Sequence, residues 1–277
     1  MRSVFNWGLF KGYLKEELSS FEYGFMKKVF SQAAVGFGAF GGLVSALSGI
    51  SVAVGSGSGI WAFNGIAGIT SLISGLILMF YYLPKYRTLP MEVTPSFVKR
   101  AYFFLILTYG TFFYILLQGL GWITGNGSDQ GQTALIAGAA IFGTTLVAYS
   151  IPAAIGFYMN KHTRAVSLYK FLGFCYTAYL VMFVISILSI LIASPSFFGS
   201  IHILMFILCG IIIFTSPILS TYRMKTVVRY LDESDYVAIK KWELFFVFEI
   251  LVQLMQMAVY ITRFAYQYCL ICSGCRR

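Results

Sequence analysis

Apolar and polar positions along this chain alternate on the scale of whole helices. Seven predominantly apolar runs, near 29–54, 60–83, 101–123, 133–158, 171–193, 201–219 and 242–263, are separated by short segments that carry almost all the charge. A helix needs about 20 apolar residues to cross the ~30 Å hydrocarbon layer, at 1.5 Å per residue. Each run meets that length, so the pattern predicts an all-α, polytopic membrane protein, a seven-helix transmembrane bundle. Three segments follow: a cytoplasmic amphipathic N-terminal segment over 1–28, the helical bundle over 29–263, and a Cys- and Arg-containing tail over 264–277.

The runs differ in their polar residues. The first carries Ala34, Gly38, Gly42 and Ala46 at four-residue intervals, a small-residue ridge that lets another helix approach closely. The second repeats a small-polar face with Asn64, Gly68, Ser71 and Gly75. Gln118 is the strongest polar group of the third, and Pro152 predicts a bend in the fourth. The sixth opens with His202 and is expected to end near Pro217. Ahead of the first run, Ser19 and Glu22 have capping-box spacing, and Phe10, Tyr13, Leu14, Leu18 and Phe21 recur at helical intervals.

The seventh run, Trp242 to Arg263, is the one with a charge in its interior. Steps of three and four place Glu249, Gln253, Gln256, Tyr260 and Arg263 along one stripe of the helix. An ionisable group in lipid needs a protein partner or water, so this stripe should face the inside of the bundle and marks a candidate functional site. A purely structural reading makes Glu249 an acid hydrogen-bonded across the bundle to Gln32, Asn64 or Gln118.

Composition agrees: 58% of the 277 residues are hydrophobic and 11% charged. The net charge of +10 does not point to nucleic acid, because the basic residues sit between apolar runs rather than on a polar domain. Placing the amino terminus in the cytoplasm puts 17 of the 20 Lys and Arg on that side, while the three opposite loops hold none. Arg263, Arg276 and Arg277 follow the last run, so its helix either crosses, against the positive-inside rule, or re-enters. No cleavable signal peptide is visible, and the short tails without a retrieval signal favour a bacterial inner membrane over the endoplasmic reticulum.

Chemistry beyond the stripe is sparse. Cys175 and Cys209 lie within apolar runs as packing residues. Cys269, Cys272 and Cys275 have C-x-x-C-x-x-C spacing but lack a fourth ligand, so free thiols or acylation fit them better than a metal. No nucleophile–base pair, metal-ligand cluster or phosphate-binding glycine loop occurs at useful spacing, which argues against an enzyme and leaves no cofactor to assign.

The segments FMKKVFSQAAVGFGAFGGLVSALSG, QTALIAGAAIFGTTLVAYSIP, FTSPILSTYRMKTVVRYLDESDY and VQLMQMAVYITRF, in this order and spacing, resemble the Bax inhibitor-1 (transmembrane Bax inhibitor motif) family over nearly the whole chain. The resemblance implies a seven-helix bundle with a proton-sensitive calcium leak, serving membrane ion homeostasis and stress response. It also implies gating by a buried pair of aspartates, one at the end of the sixth helix and one in the seventh. Those positions match Ser220 and Gln253, and the family's Asn, Tyr and Arg positions match Gln256, Tyr260 and Arg263. Neither aspartate is present. Paired carboxylates share a proton and titrate as a coupled pair, which Ser220 and Gln253 cannot do.

Glu249, one turn before Gln253, offers a displaced single carboxylate for the same cavity. The family's arginine near the cytoplasmic end of the second helix is matched most nearly by Arg87, with Lys85 as rival. The expected partners are the lipid bilayer, calcium ions, and another membrane protein such as a quality-control protease. The expected ion-path residues are Glu249, Gln253, Gln256, Ser220 and Arg87.

Overall fold

A computed structural model describes residues 19–54, 58–88, 94–124, 130–159, 162–192 and 195–274. Among them lie seven helices long and apolar enough to cross a membrane. They are α1 (Ser20–Val54), α2 (Ser58–Ile77), α3 (Pro95–Thr124), α4 (Gln130–Tyr158), α5 (His162–Ile192), α6 (Pro195–Arg229) and α7 (Tyr236–Gly274). The helix α2 runs on through a π-turn, Leu78–Tyr82, into the short helix Leu83–Thr88. The protein is a multi-pass integral membrane protein with an all-α, seven-helix bundle. The amphipathic segment expected before residue 19 lies outside the described residues.

Local chemistry explains where the helices begin. The Ser19 hydroxyl accepts from the Glu22 N–H at 3.1 Å and the Glu22 carboxylate accepts from the Ser19 N–H at 3.1 Å, the reciprocal capping box read from the sequence. Proline opens α3 and α6, where its missing N–H costs nothing and its fixed φ suits the first turn. Proline is also tolerated inside helices, Pro152 in α4 and Pro217 in α6. Near both prolines, α4 and α6 come together so closely that a Cβ on Gly156 would lie 2.2 Å from the Ile218 carbonyl oxygen. Only glycine permits that approach.

The helix α7 stands in the middle, packed against α1, α3, α4 and α6, with 67% of its apolar window buried. The outermost helix, α5, packs on α6 and buries 11%. Between α1, α3 and α4 an aromatic cluster of Phe37, Phe40, Phe113 and Phe142 fills the core, with ring centroids 4.9–5.6 Å apart.

Four expectations change. The sixth span does not end at Pro217: α6 continues to Arg229, because a proline inside a long apolar helix removes one hydrogen bond without stopping the helix. The segment assigned to a loop at 220–241 is therefore helical on both flanks of a short turn. The last helix is unbroken over 39 residues, which excludes a re-entrant turn within it, and it carries the expected tail in helical form as far as Gly274. The α1 ridge of Ala34, Gly38, Gly42 and Ala46 faces outward, and among the described residues no neighbouring helix comes within 4 Å of a Cβ placed on Gly38 or Gly42. The neighbouring face, with Gly36 against Leu251 and Gly41 against Phe142, takes the packing instead.

Candidate functional site: a polar seam along the central helix

The polar residues of α7 meet different helices at different depths. In the middle, the Gln253 side-chain oxygen accepts from the Ser220 hydroxyl of α6 at 3.0 Å and from the Tyr149 hydroxyl of α4 at 3.3 Å. All three residues are buried. The Ser220 hydroxyl also donates to the Pro217 carbonyl oxygen, one turn earlier on α6, at 3.4 Å. Thus Ser220 and Gln253 face each other across the α6–α7 contact, joined by a neutral hydrogen bond.

Glu249 sits one turn away, half-buried as a residue but with Oε2 enclosed and without a hydrogen-bond partner among the described residues. The cation that acts on it electrostatically is Arg223 of α6, and its own charge acts on Tyr149. Arg223 itself is exposed, with its guanidinium 4.9 Å from the centroid of the Phe245 ring. A carboxylate oxygen buried in a bundle without a donor is costly and calls for a functional or solvent partner.

Farther along, Gln256 hydrogen-bonds to the Tyr109 side chain of α3, and the Tyr260 hydroxyl donates to the Phe206 carbonyl of α6 at 3.3 Å. The Tyr260 ring stacks on Phe206 at 4.5 Å between centroids. Gln256 and Arg263 are exposed at the surface of α7. The stripe therefore splits between the α4–α6 and α3 sides instead of lining one closed channel.

The basic end of the bundle holds a second acid. Glu243, fully buried on α7, is met by Lys28 Nζ of α1 at 2.9 Å, by Lys240 Nζ at 3.0 Å and by the Gln32 amide. Nearby, Arg229 at the end of α6 reaches Glu22 of α1 at 3.7 Å, a half-exposed pair of small energetic weight. Lys225, buried between α4 and α6, donates to the Phe157 carbonyl at 3.0 Å. In the turn between α6 and α7, the Asp232 carboxyl is held below its usual range by hydrogen bonds from the Ser234 N–H and hydroxyl.

The structural partners expected for Glu249 are engaged elsewhere. Gln32 holds Glu243, Asn64 accepts from the Tyr114 hydroxyl at 2.7 Å, and Gln118 donates to Ser51 at 3.0 Å. The Arg87 backbone lies in the helix Leu83–Thr88, but its side chain is outside the described residues. Its rival, Lys85, lies over the Tyr81 ring at 4.5 Å. Among the described residues, the cation that acts on Glu249 is Arg223, one turn after Ser220 on the same helix. Tyr149, Arg223, Glu243 and Lys225 were not singled out by spacing. Arg223 and Lys225 were assigned to a loop, and a lone tyrosine in an apolar run carries no signal of which neighbour it will meet.

Among the described residues, no three of His, Cys, Asp and Glu gather where they could hold a metal ion. Cys275 and the side chains of Cys269 and Cys272 lie outside the described residues. Comparison of the chain with protein-family models, with curated proteins and with solved structures yields no match.

Proposed function

We propose that this protein is a Bax inhibitor-1-like membrane protein that leaks or regulates cations, with calcium the first candidate, and that Glu249 is the charged group of its pathway. The observation that carries this reading is the Glu249 carboxylate: enclosed among α4, α6 and α7, its Oε2 has no donor among the described residues, while Ser220 and Tyr149 are engaged with Gln253. Hard cations take oxygen ligands, and the oxygens of Glu249, Gln253, Ser220 and Tyr149 are grouped there. One carboxylate among neutral oxygens makes a weak site, suited to passage rather than storage. In this reading the protein lies in a bacterial inner membrane with its amino terminus in the cytoplasm.

Calcium flux into liposomes carrying the purified protein, measured across about pH 6 to 8, tests the proposal. Glu249→Gln is expected to lower the flux by on the order of tenfold or more. Ser220 and Gln253 have no proton to exchange in that range, so any pH profile reports on Glu249 and its surroundings. Flux in the variant equal to wild type removes Glu249 from the pathway, and flux equal to that of empty liposomes removes the leak itself.

A second reading, a non-conducting protein that binds and modulates another membrane protein such as a quality-control protease, is favoured by the exposed α1 ridge. Gly38 and Gly42 present bare backbone on a face that no helix covers among the described residues. A stoichiometric partner that co-purifies and is lost on Gly42→Leu, together with absence of flux, is the outcome that reading requires.

A further inference from the structure

Beside the polar seam, and sharing Tyr149 with it, the structure contains a groove that Glu249 itself does not line. It runs between α1, α4, α5 and α6 at the basic end of the bundle and encloses about 1470 Å³. Pockets for small molecules span roughly 300–1,000 Å³, so this one suits a larger occupant. Its length is set by α4, from Leu146 to Tyr158, which at 1.5 Å per residue is about 18 Å. One leaflet of the hydrocarbon layer is about 15 Å deep.

The walls are apolar along that length, with Val147, Ile151, Ile155 and Leu168 among them. Tyr149 and Ser150 are the polar residues at the deep end of the α4 wall, and the charged groups lie at the mouth. Lys27 of α1 and Arg164 of α5 both line it, both are exposed, and neither forms an ion pair among the described residues. Among the described residues, no Asp or Glu lines it.

An apolar slot one leaflet deep, with two cations and no acid at its mouth, matches a molecule with long hydrocarbon chains and an anionic head. We propose that the groove binds one anionic phospholipid, its head group on Lys27 and Arg164 and its acyl chains along α4. Lipid that merely coats a helical bundle meets convex surfaces and is selected weakly. A concave site between four helices with paired cations selects for charge.

The test is native mass spectrometry of the full chain in a neutral detergent, titrated with phosphatidylglycerol and, separately, with phosphatidylcholine of the same acyl chains. Each basic residue near an anionic lipid surface is worth about fivefold in affinity, so wild type is expected to prefer phosphatidylglycerol by about thirtyfold for the first lipid bound. Lys27→Gln with Arg164→Gln is expected to remove that preference. Lys99→Gln with Arg100→Gln, a matched pair of exposed cations on α3 away from the groove, is expected to keep it.

Ile155→Trp, which fills the slot from an exposed position, is expected to weaken both lipids. Equal retention of the two lipids by wild type overturns the proposal, as does a preference that the α3 pair abolishes and the groove pair does not. So does a dimeric mass that Ile155→Trp disperses without change in lipid preference, since the occupant is then a second copy of this chain.

Discussion

Glu243 and Glu249 lie six residues apart on one helix and live in opposite circumstances. Six steps of about 100° turn them roughly 120° apart around α7, so Glu243 looks toward α1 and Glu249 toward α4 and α6. On the first side Lys28, Lys240 and Gln32 converge on one carboxylate. On the second, the hydrogen-bonding capacity of the neighbours is spent on one another, Ser220 and Tyr149 on Gln253, and an oxygen of Glu249 is left over. Two acids of the same helix thus separate into one that holds the bundle together and one that the bundle carries at a cost. A group kept at a cost is a better mark of function than one that is well satisfied.

The largest effect expected on stability is at Glu243. Breaking a buried ion pair by removing one partner costs about 3–5 kcal/mol when the survivor stays buried. Here the survivors, Lys28 and Lys240, have side chains 52% and 33% exposed and can turn to water. Glu243→Ala is therefore expected to cost about 3 kcal/mol, the lower end of that range, seen as a lowered midpoint of unfolding in detergent. A loss below about 1 kcal/mol would sink the structural half of the comparison.

Gln253→Leu is expected to come next. It leaves the buried hydroxyls of Tyr149 and Ser220 without their acceptor, and unsatisfied buried groups cost about 1–3 kcal/mol. Ser220 can fall back on the Pro217 carbonyl at 3.4 Å, so the lower half of that range applies. Equality with Glu243→Ala in the same unfolding measurement would mean that the neutral seam ties α7 to α4 and α6 as strongly as the ion-paired end ties it to α1.

How much of this the amino-acid sequence discloses depends on the kind of contact. The seven crossings follow from run length, because the bilayer imposes one length on every helix. The capping box at Ser19 and Glu22 was legible because both partners lie in one turn. The central place of α7 followed from its being the span with a charge in its interior. Periodicity, in contrast, names a face but not the neighbour that covers it. The small-polar face of α2 does pack, with the Ser71 hydroxyl donating to the Thr108 carbonyl at 3.1 Å and Gly75 against Thr108, whereas the α1 ridge of the same character points outward.

The juxtaposition of Ser220 and Gln253 came from a resemblance, not from spacing, since they stand 33 residues apart on different helices. Glu243 was missed because a charge near the start of a span reads as solvated. Its partners Lys28 and Gln32 come from the far end of the sequence.

The smallest effect expected on stability is at Glu249, and it decides whether the two acids truly differ. Glu249→Gln keeps the shape of the side chain, removes the charge and leaves Gln253, Ser220 and Tyr149 bonded as before. If the carboxylate makes no stabilising contact through Oε2, the variant loses nothing and relieves part of the cost of an unsatisfied charged group. Its midpoint of unfolding is expected to fall within about 0.5 kcal/mol of wild type or above it, in contrast to the fall for Glu243→Ala. Read beside the flux measurement, a variant that is fully stable yet impaired in flux separates a pathway residue from a structural one. A midpoint lowered as far as that of Glu243→Ala means instead that Glu249 is anchored as firmly as its neighbour six residues away, and the assignment of a pathway to this side of α7 fails with it.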